Sequence, residues 1–265
     1  MSHPAIPPAW EPPAHGEILR WPLPFQGAGN RWLVRALAML ARRQVLSISG
    51  LEHVRPNRDP FILALSHGTR SEALLVPALL VLARGGRIIH FLADWNFRLI
   101  PGVGLIYRRG EAITLTRKPA RPRILNLLKP LYRHPVPAWE RASAQLARGR
   151  SIGVFPEGTV NRDPRRLLAG RRGAARLSLE TGVPIVPVGI RYPRAPRDAP
   201  ISDHAAMTVD IGAPLCPRGP MPMASLDAVR AWHAVMMRDI ARLSGRTWSE
   251  KLSGSLTEEI GDEHA

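Results

Sequence analysis

Phe61-Ile62-Leu63-Ala64-Leu65-Ser66-His67-Gly68-Thr69-Arg70-Ser71-Glu72 reads as one unit of an α/β fold. A short apolar run gives way to small polar residues, and a helical pattern over 71–84 follows. Such a unit sets its polar residues on the loop leaving a strand end, where α/β proteins place their chemistry. His67 stands in that loop, with Glu72 five positions later. On one continuous helix the two would lie about 140° apart, since each residue turns about 100°. With the helix starting near Thr69 or Ser71, Glu72 instead falls in its first turn and folds back to one imidazole nitrogen. A carboxylate there fixes the tautomer and leaves the other nitrogen free to accept a hydroxyl proton. Taken alone, the pair also suits a histidine closing a strand and a glutamate favoured by a helix amino terminus.

The alternation continues on both sides. Apolar runs predict strands at 45–49, 61–65, 87–92, 112–116, 151–155, 184–189 and 207–211, and helical spacing predicts helices at 71–84, 138–149, 170–181 and 224–243. The expected fold is α/β, a mixed central sheet flanked by helices, preceded by an amphipathic helix over 29–44. In that helix Trp32, Leu33, Ala36, Leu37 and Leu40 recur at spacings near three and four, interleaved with Arg31, Arg35, Arg42 and Arg43. Residues 1–28 carry seven prolines and predict an extended leader, while 45–245 form the main domain and 246–265 a polar tail.

A second polar turn follows the apolar stretch at 151–155. In Ser151-Ile152-Gly153-Val154-Phe155-Pro156-Glu157-Gly158-Thr159-Val160-Asn161-Arg162, Pro156 ends the strand and Gly158 permits a positive φ. Glu157, Thr159 and Arg162 are expected to project from the loop, the carboxylate toward a hydroxyl and the guanidinium toward a phosphate. The same residues also fit a plain strand-turn bearing a surface ion pair.

Together the two segments resemble the first and third blocks of the glycerol-3-phosphate and 1-acylglycerol-3-phosphate acyltransferase family, marked by a histidine and an acidic residue separated by four and by Phe-Pro-Glu-Gly. Residues 87–117, with Ile100-Pro101-Gly102-Val103-Gly104 and a terminal Arg117, are similar to the second block. Residues 172–188, ending Val183-Pro184-Ile185-Val186-Pro187-Val188, are similar to the fourth. The resemblance implies an O-acyltransferase in which His67 is the general base and Glu72 orients it. It implies phosphate binding by Arg117 and Arg162, an acceptor site including Glu157, Gly158 and Thr159, and Pro187 on the thioester side. The donor would be acyl-CoA or acyl carrier protein as co-substrate, with no cofactor and no metal. The acceptor would be a lysophospholipid, foremost 1-acylglycerol-3-phosphate.

Three positions depart from the pattern: Glu72 stands for the usual aspartate, Val160 for a common arginine and Asp94 for a common lysine. Two positive charges are thus missing from the phosphate side, each able to make a charge-assisted hydrogen bond of about 1.5–3 kcal/mol. Arg70, Arg108, Arg109, Arg171 and Arg172 are candidates to replace them. The departures keep a different lipid or polyol acceptor open.

Composition bounds the partners. The formal net charge is +16, and because Lys118, Lys129 and Lys251 are the only lysines, arginine supplies most of it. That charge suits an anionic membrane surface, and a nucleic acid on charge alone, but no zinc-finger spacing or RNA-binding signature accompanies it, so no nucleic acid is expected. A single cysteine, Cys216, excludes an intramolecular disulfide and fits a reducing compartment. No window approaches the roughly 20 apolar residues of a membrane span, and no secretory signal is recognisable. The expected place is the cytoplasmic face of the cell membrane, as a peripheral protein.

Overall fold

The computed structural model describes residues 9–116, 118–119 and 122–250. In chain order the regular elements are α1 (His15–Arg20), α2 (Ala28–Ala41), β1 (Val45–Ser49), β2 (Ile62–Leu65), α3 (Glu72–Ala83), β3 (His90–Asp94), α4 (Val103–Arg109), β4 (Ile113–Leu115), α5 (Ala138–Ala147), β5 (Ile152–Val154), α6 (Gly173–Thr181), β6 (Ile185–Arg191), β7 (Met207–Ile211) and α7 (Leu226–Ser244). Short 3₁₀ segments add Leu51–Val54, Pro56–Arg58 and Trp95–Leu99, and a long one runs over Arg123–Tyr132.

The seven strands form one sheet in the order β1-β7-β6-β2-β5-β3-β4. Every pairing is parallel except β6 with β7, so the sheet is mixed. The period-2 alternation of β2 splits the core into two layers. Leu63 and Leu65 face α2 and α3, where Val76, Leu79 and Leu80 are buried with Val186 and Val188 of β6. Ile62 and Ala64 face the opposite layer, with Leu146 of α5, Leu177 of α6 and Met236, Met237 and Ile240 of α7. β2 is buried on both faces, which explains its unbroken apolar run. Helix α7 is held at its start by Ser225, whose side chain accepts the Ala228 N–H, and stopped by Gly245 at φ +68°.

The amino-terminal segment differs from the extended leader expected. His15–Arg20 form a helix with Ile18 fully buried, and Leu23 is buried as well. Trp10 exchanges backbone hydrogen bonds with Ile48, and its ring meets Trp21 edge-on at 6.3 Å. Trp21 donates from Nε1 to Leu82 O at 3.0 Å. The prolines end the local helix but do not prevent packing, because aromatic burial outweighs the few backbone donors they remove. Helix α2 packs against α3, burying Ala38 and Ala41 with Val34 and Met39 against the same core, while Trp32 and Leu40 remain about half exposed.

Candidate active site

The carboxyl ends of β2, β5 and β6 converge on one place. Ser66 fastens the first loop: its N–H donates to Val188 O at 3.0 Å, and its Oγ accepts the Ile190 N–H at 2.9 Å. His67 follows, its Nδ1 lying 2.7 Å from Glu72 Oε1. Helix α3 begins at Glu72 itself, so this side chain reaches back across the loop as a first-turn residue. Its carboxylate is fully buried, with both oxygens occupied. Oε1 also accepts the Gly68 N–H at 2.6 Å, while Oε2 accepts from Thr69 Oγ1 and from the Tyr192 hydroxyl. A neutral imidazole whose Nδ1 donates to this carboxylate has Nε2 as its acceptor nitrogen, and Nε2 makes no hydrogen bond among the described residues. The imidazole lies against Phe155 with ring centres 4.4 Å apart and planes tilted by 31°, and its side chain is 12% exposed.

The second loop is built around Glu157, whose carboxylate turns inward and does not project as expected. Oε1 accepts the His67 N–H at 2.9 Å, and Oε2 accepts the Leu168 N–H at 2.9 Å and Asn161 Nδ2 at 2.7 Å. Asn161 returns the bond by donating its own N–H to His67 O at 2.7 Å. Each loop therefore holds the other at the His67 peptide. Burial pushes the Glu157 carboxyl up, against the three donors that pull it down and the nearby Arg246 charge. A buried side chain with every donor internal is a poor ligand for an acceptor, and a strong brace for the histidine loop.

Of the other expected residues, Gly158 adopts φ +69°, and a Cβ there would lie 2.6 Å from Arg171 Nε. Its carbonyl accepts Lys118 Nζ at 2.5 Å. Lys118 and Arg171 thus bring two cations to the turn where Val160 and Asp94 lack them. Thr159 is exposed on the same turn. Arg162 points elsewhere, donating to Ile201 O at 3.0 Å and pairing with Asp203. That partner is within reach because Ile201 and Asp203 form part of the loop between β6 and β7, a long-range contact invisible in the local motif. Arg117 lies outside the described residues. Asp94 caps the Trp95–Leu99 segment by accepting the Asn96 N–H at 3.3 Å, and burial raises its carboxyl.

Sequence reasoning missed Tyr192, Asn161, Lys118 and Arg246. Arg246 is buried immediately after α7, its guanidinium 5.5 Å from the centre of the Tyr192 ring. Burial, with the Glu72 charge beside it, pushes the Tyr192 hydroxyl far up, so it serves only as a donor. Tyr192 lies four positions past the end of the fourth block, and that nearness was its one signal. Beyond Phe155, Phe91 continues the aromatic wall at 5.9 Å and borders an apolar cleft between α2, α3 and α4, lined by Leu33, Leu37, Pro77, Val81 and Ile106. Among the described residues no cluster of histidine, cysteine or carboxylate side chains is arranged to hold a metal, and no helix is long and apolar enough to cross a membrane.

Residues 45–191 match the Acyltransferase family. A lyso-ornithine lipid O-acyltransferase of Pseudomonas aeruginosa is 29% identical over 164 residues, a match spanning 62% of this chain and 53% of that protein's length. In fold, the chain is similar to the crystal structure of the 1-acyl-sn-glycerophosphate acyltransferase PlsC from Thermotoga maritima, with a TM-score of 0.54, 21% identity, and coverage of 88% of this chain and 89% of that one.

Proposed function

The chain belongs to the Acyltransferase family, and from that premise we propose that it transfers a fatty acyl group from a thioester, acyl-CoA or acyl carrier protein, to a hydroxyl of a lysolipid at an anionic membrane surface. The observation that carries the reading is the His67–Glu72 pair at 2.7 Å, with Nε2 in no hydrogen bond among the described residues and the ring set against Phe155. Nε2 takes the proton of the acceptor hydroxyl as that oxygen attacks the thioester carbonyl. The tetrahedral intermediate then collapses, the carbon–sulfur bond breaks, and the imidazolium returns its proton to the leaving thiolate. Glu72 stabilises the imidazolium between the two steps without taking its proton. The acyl chain lies in the apolar cleft that begins at Phe91, and Lys118 and Arg171 give the turn at Gly158 the charge to receive an anionic headgroup.

The sequence pattern favours 1-acylglycerol-3-phosphate as acceptor. A second reading, an amino-acid-headed lysolipid, is favoured by the engagement of Arg162 with Asp203 and by the likeness to the lyso-ornithine lipid enzyme. Both share one hydroxyl chemistry and differ in headgroup. The deciding experiment measures transfer of labelled acyl groups from both thioesters to each acceptor in anionic vesicles, with native protein and His67→Ala. Transfer by native protein and its loss in a folded His67→Ala variant supports the chemistry, and the preferred acceptor selects between the readings. Equal transfer by both proteins overturns the role given to His67.

A further inference from the structure

Between β4 and α5, the stretch Arg123–Tyr132 has a surface that no part of the proposed reaction uses. From 112 to 139 the sequence holds no carboxylate and six basic residues, Arg117, Lys118, Arg121, Arg123, Lys129 and Arg133. Within it Arg123–Tyr132 is a ten-residue 3₁₀ helix. Runs beyond three or four residues of this kind are uncommon, because their hydrogen-bond geometry is poorer than that of an α-helix. At three residues per turn, positions three apart eclipse. One row is then Ile124, Leu127 and Pro130, the next Leu125, Leu128 and Leu131, and the third Arg123, Asn126, Lys129 and Tyr132. Ile124, Leu127 and Leu131 are 70%, 79% and 78% exposed, among the most solvent-open large apolar side chains described.

The polar row also anchors the segment. The Tyr132 ring lies 5.6 Å from that of Trp95, and the Arg98 guanidinium sits 6.0 Å from its centre. Trp95 in turn donates from Nε1 to Lys118 O at 2.9 Å, and Lys118 Nζ reaches Gly158 O. The apolar ridge is therefore fixed to the turn proposed to receive the headgroup. We propose that Arg123–Tyr132 is the element by which this protein enters an anionic bilayer. Its leucine rows sink into the acyl boundary, and Arg123 and Lys129 lie at headgroup level. Charge and apolarity together argue for this occupant: 28 consecutive positions with six basic residues and no carboxylate suit an anionic leaflet, and the exposed Ile124, Leu127 and Leu131 suit the acyl boundary beneath it. A lysolipid leaving the leaflet beside this ridge reaches Gly158 without crossing water. The inference rests on the bilayer partner of the preceding reading, and adds which residues meet it.

The test is co-sedimentation of the full chain with vesicles of phosphatidylcholine alone or mixed with phosphatidylglycerol, for native protein, Leu127→Ser/Leu131→Ser and, on α2, Trp32→Ser. Native protein is expected to bind the mixed vesicles and to release in high salt. The double variant is expected to bind at least about tenfold more weakly, to keep the native unfolding midpoint, and to acylate a short-chain, water-soluble acceptor at the native rate. Binding by the double variant equal to native overturns the inference while leaving the bilayer partner standing, and loss confined to Trp32→Ser would transfer the contact to α2. Failure of native protein to bind any vesicle, or its binding of duplex DNA in their place, overturns both.

Discussion

Glu72 is a fully buried side chain whose two oxygens meet four donors, from His67, Gly68, Thr69 and Tyr192. Those donors are not equivalent. Glu72→Gln keeps the size but turns an amide donor toward groups that already donate, so the imidazole loses its fixed tautomer. A fall in kcat of about 10²–10⁴-fold with little change in KM is expected. Tyr192→Phe removes one donor of four and leaves one buried lone pair unsatisfied, at about 1–3 kcal/mol. Its kcat should fall by much less than that of Glu72→Gln. Steady-state kinetics of the two variants, with circular dichroism to confirm folding, reads the ranking, and the reverse order would remove the dyad from its central place. The histidine and glutamate were legible because five positions of one loop join them. Tyr192 meets Glu72 across 120 positions, and Asn161 meets His67 across a strand pairing, so no local pattern marks either.

Elements set these residues in place through close backbone contacts. On β6, Gly189 faces the end of α7 so tightly that a Cβ would lie 2.2 Å from the Leu243 carbonyl carbon and the Ser244 nitrogen. Both obstructing atoms are backbone, so no rotamer relieves the clash. Gly189→Ala should cost about 3 kcal/mol by forcing helix from sheet, whereas Gly173→Ala, where a Cβ meets nothing within 4 Å at the start of α6, should be neutral or slightly stabilising. Urea unfolding of the two variants checks the contrast. The seven strands were legible as apolar runs bounded by glycine and proline, and five of the helices, α2, α3, α5, α6 and α7, by their spacing. Their order in the sheet was not, because β5 enters between β2 and β3 from more than fifty residues downstream, guided by packing of both faces. Helix α4 is too short for its period to stand out, and α1 and Arg123–Tyr132 are hidden by flanking prolines.

At the scale of the whole molecule, two buried histidines make stability depend on pH. His90, at the start of β3, and His233, on α7, are each 3% exposed, and burial lowers both below their ordinary value of 6.5. The unfolded chain takes up protons near 6.5 that the folded one refuses, so stability should fall as pH drops below 6.5, by at most about 1.4 kcal/mol per pH unit for each proton. Glu157 works in the opposite direction, since its raised folded value lets the native state bind a proton above 4.5 that the unfolded chain does not. Urea midpoints of native protein and His233→Gln between about pH 5 and 7.5 separate the two, the variant being expected to show the shallower loss. The interlocked peptide at His67 acts on the same scale. Because its N–H is given to Glu157 and its oxygen receives Asn161, neither loop opens while the other stays closed. The amide hydrogens of residues 67, 68 and 161 are therefore expected to exchange with solvent as one cooperative unit, at the pace at which β2 parts from β5 and not at that of surface loops, so that the catalytic geometry would outlast local fluctuation.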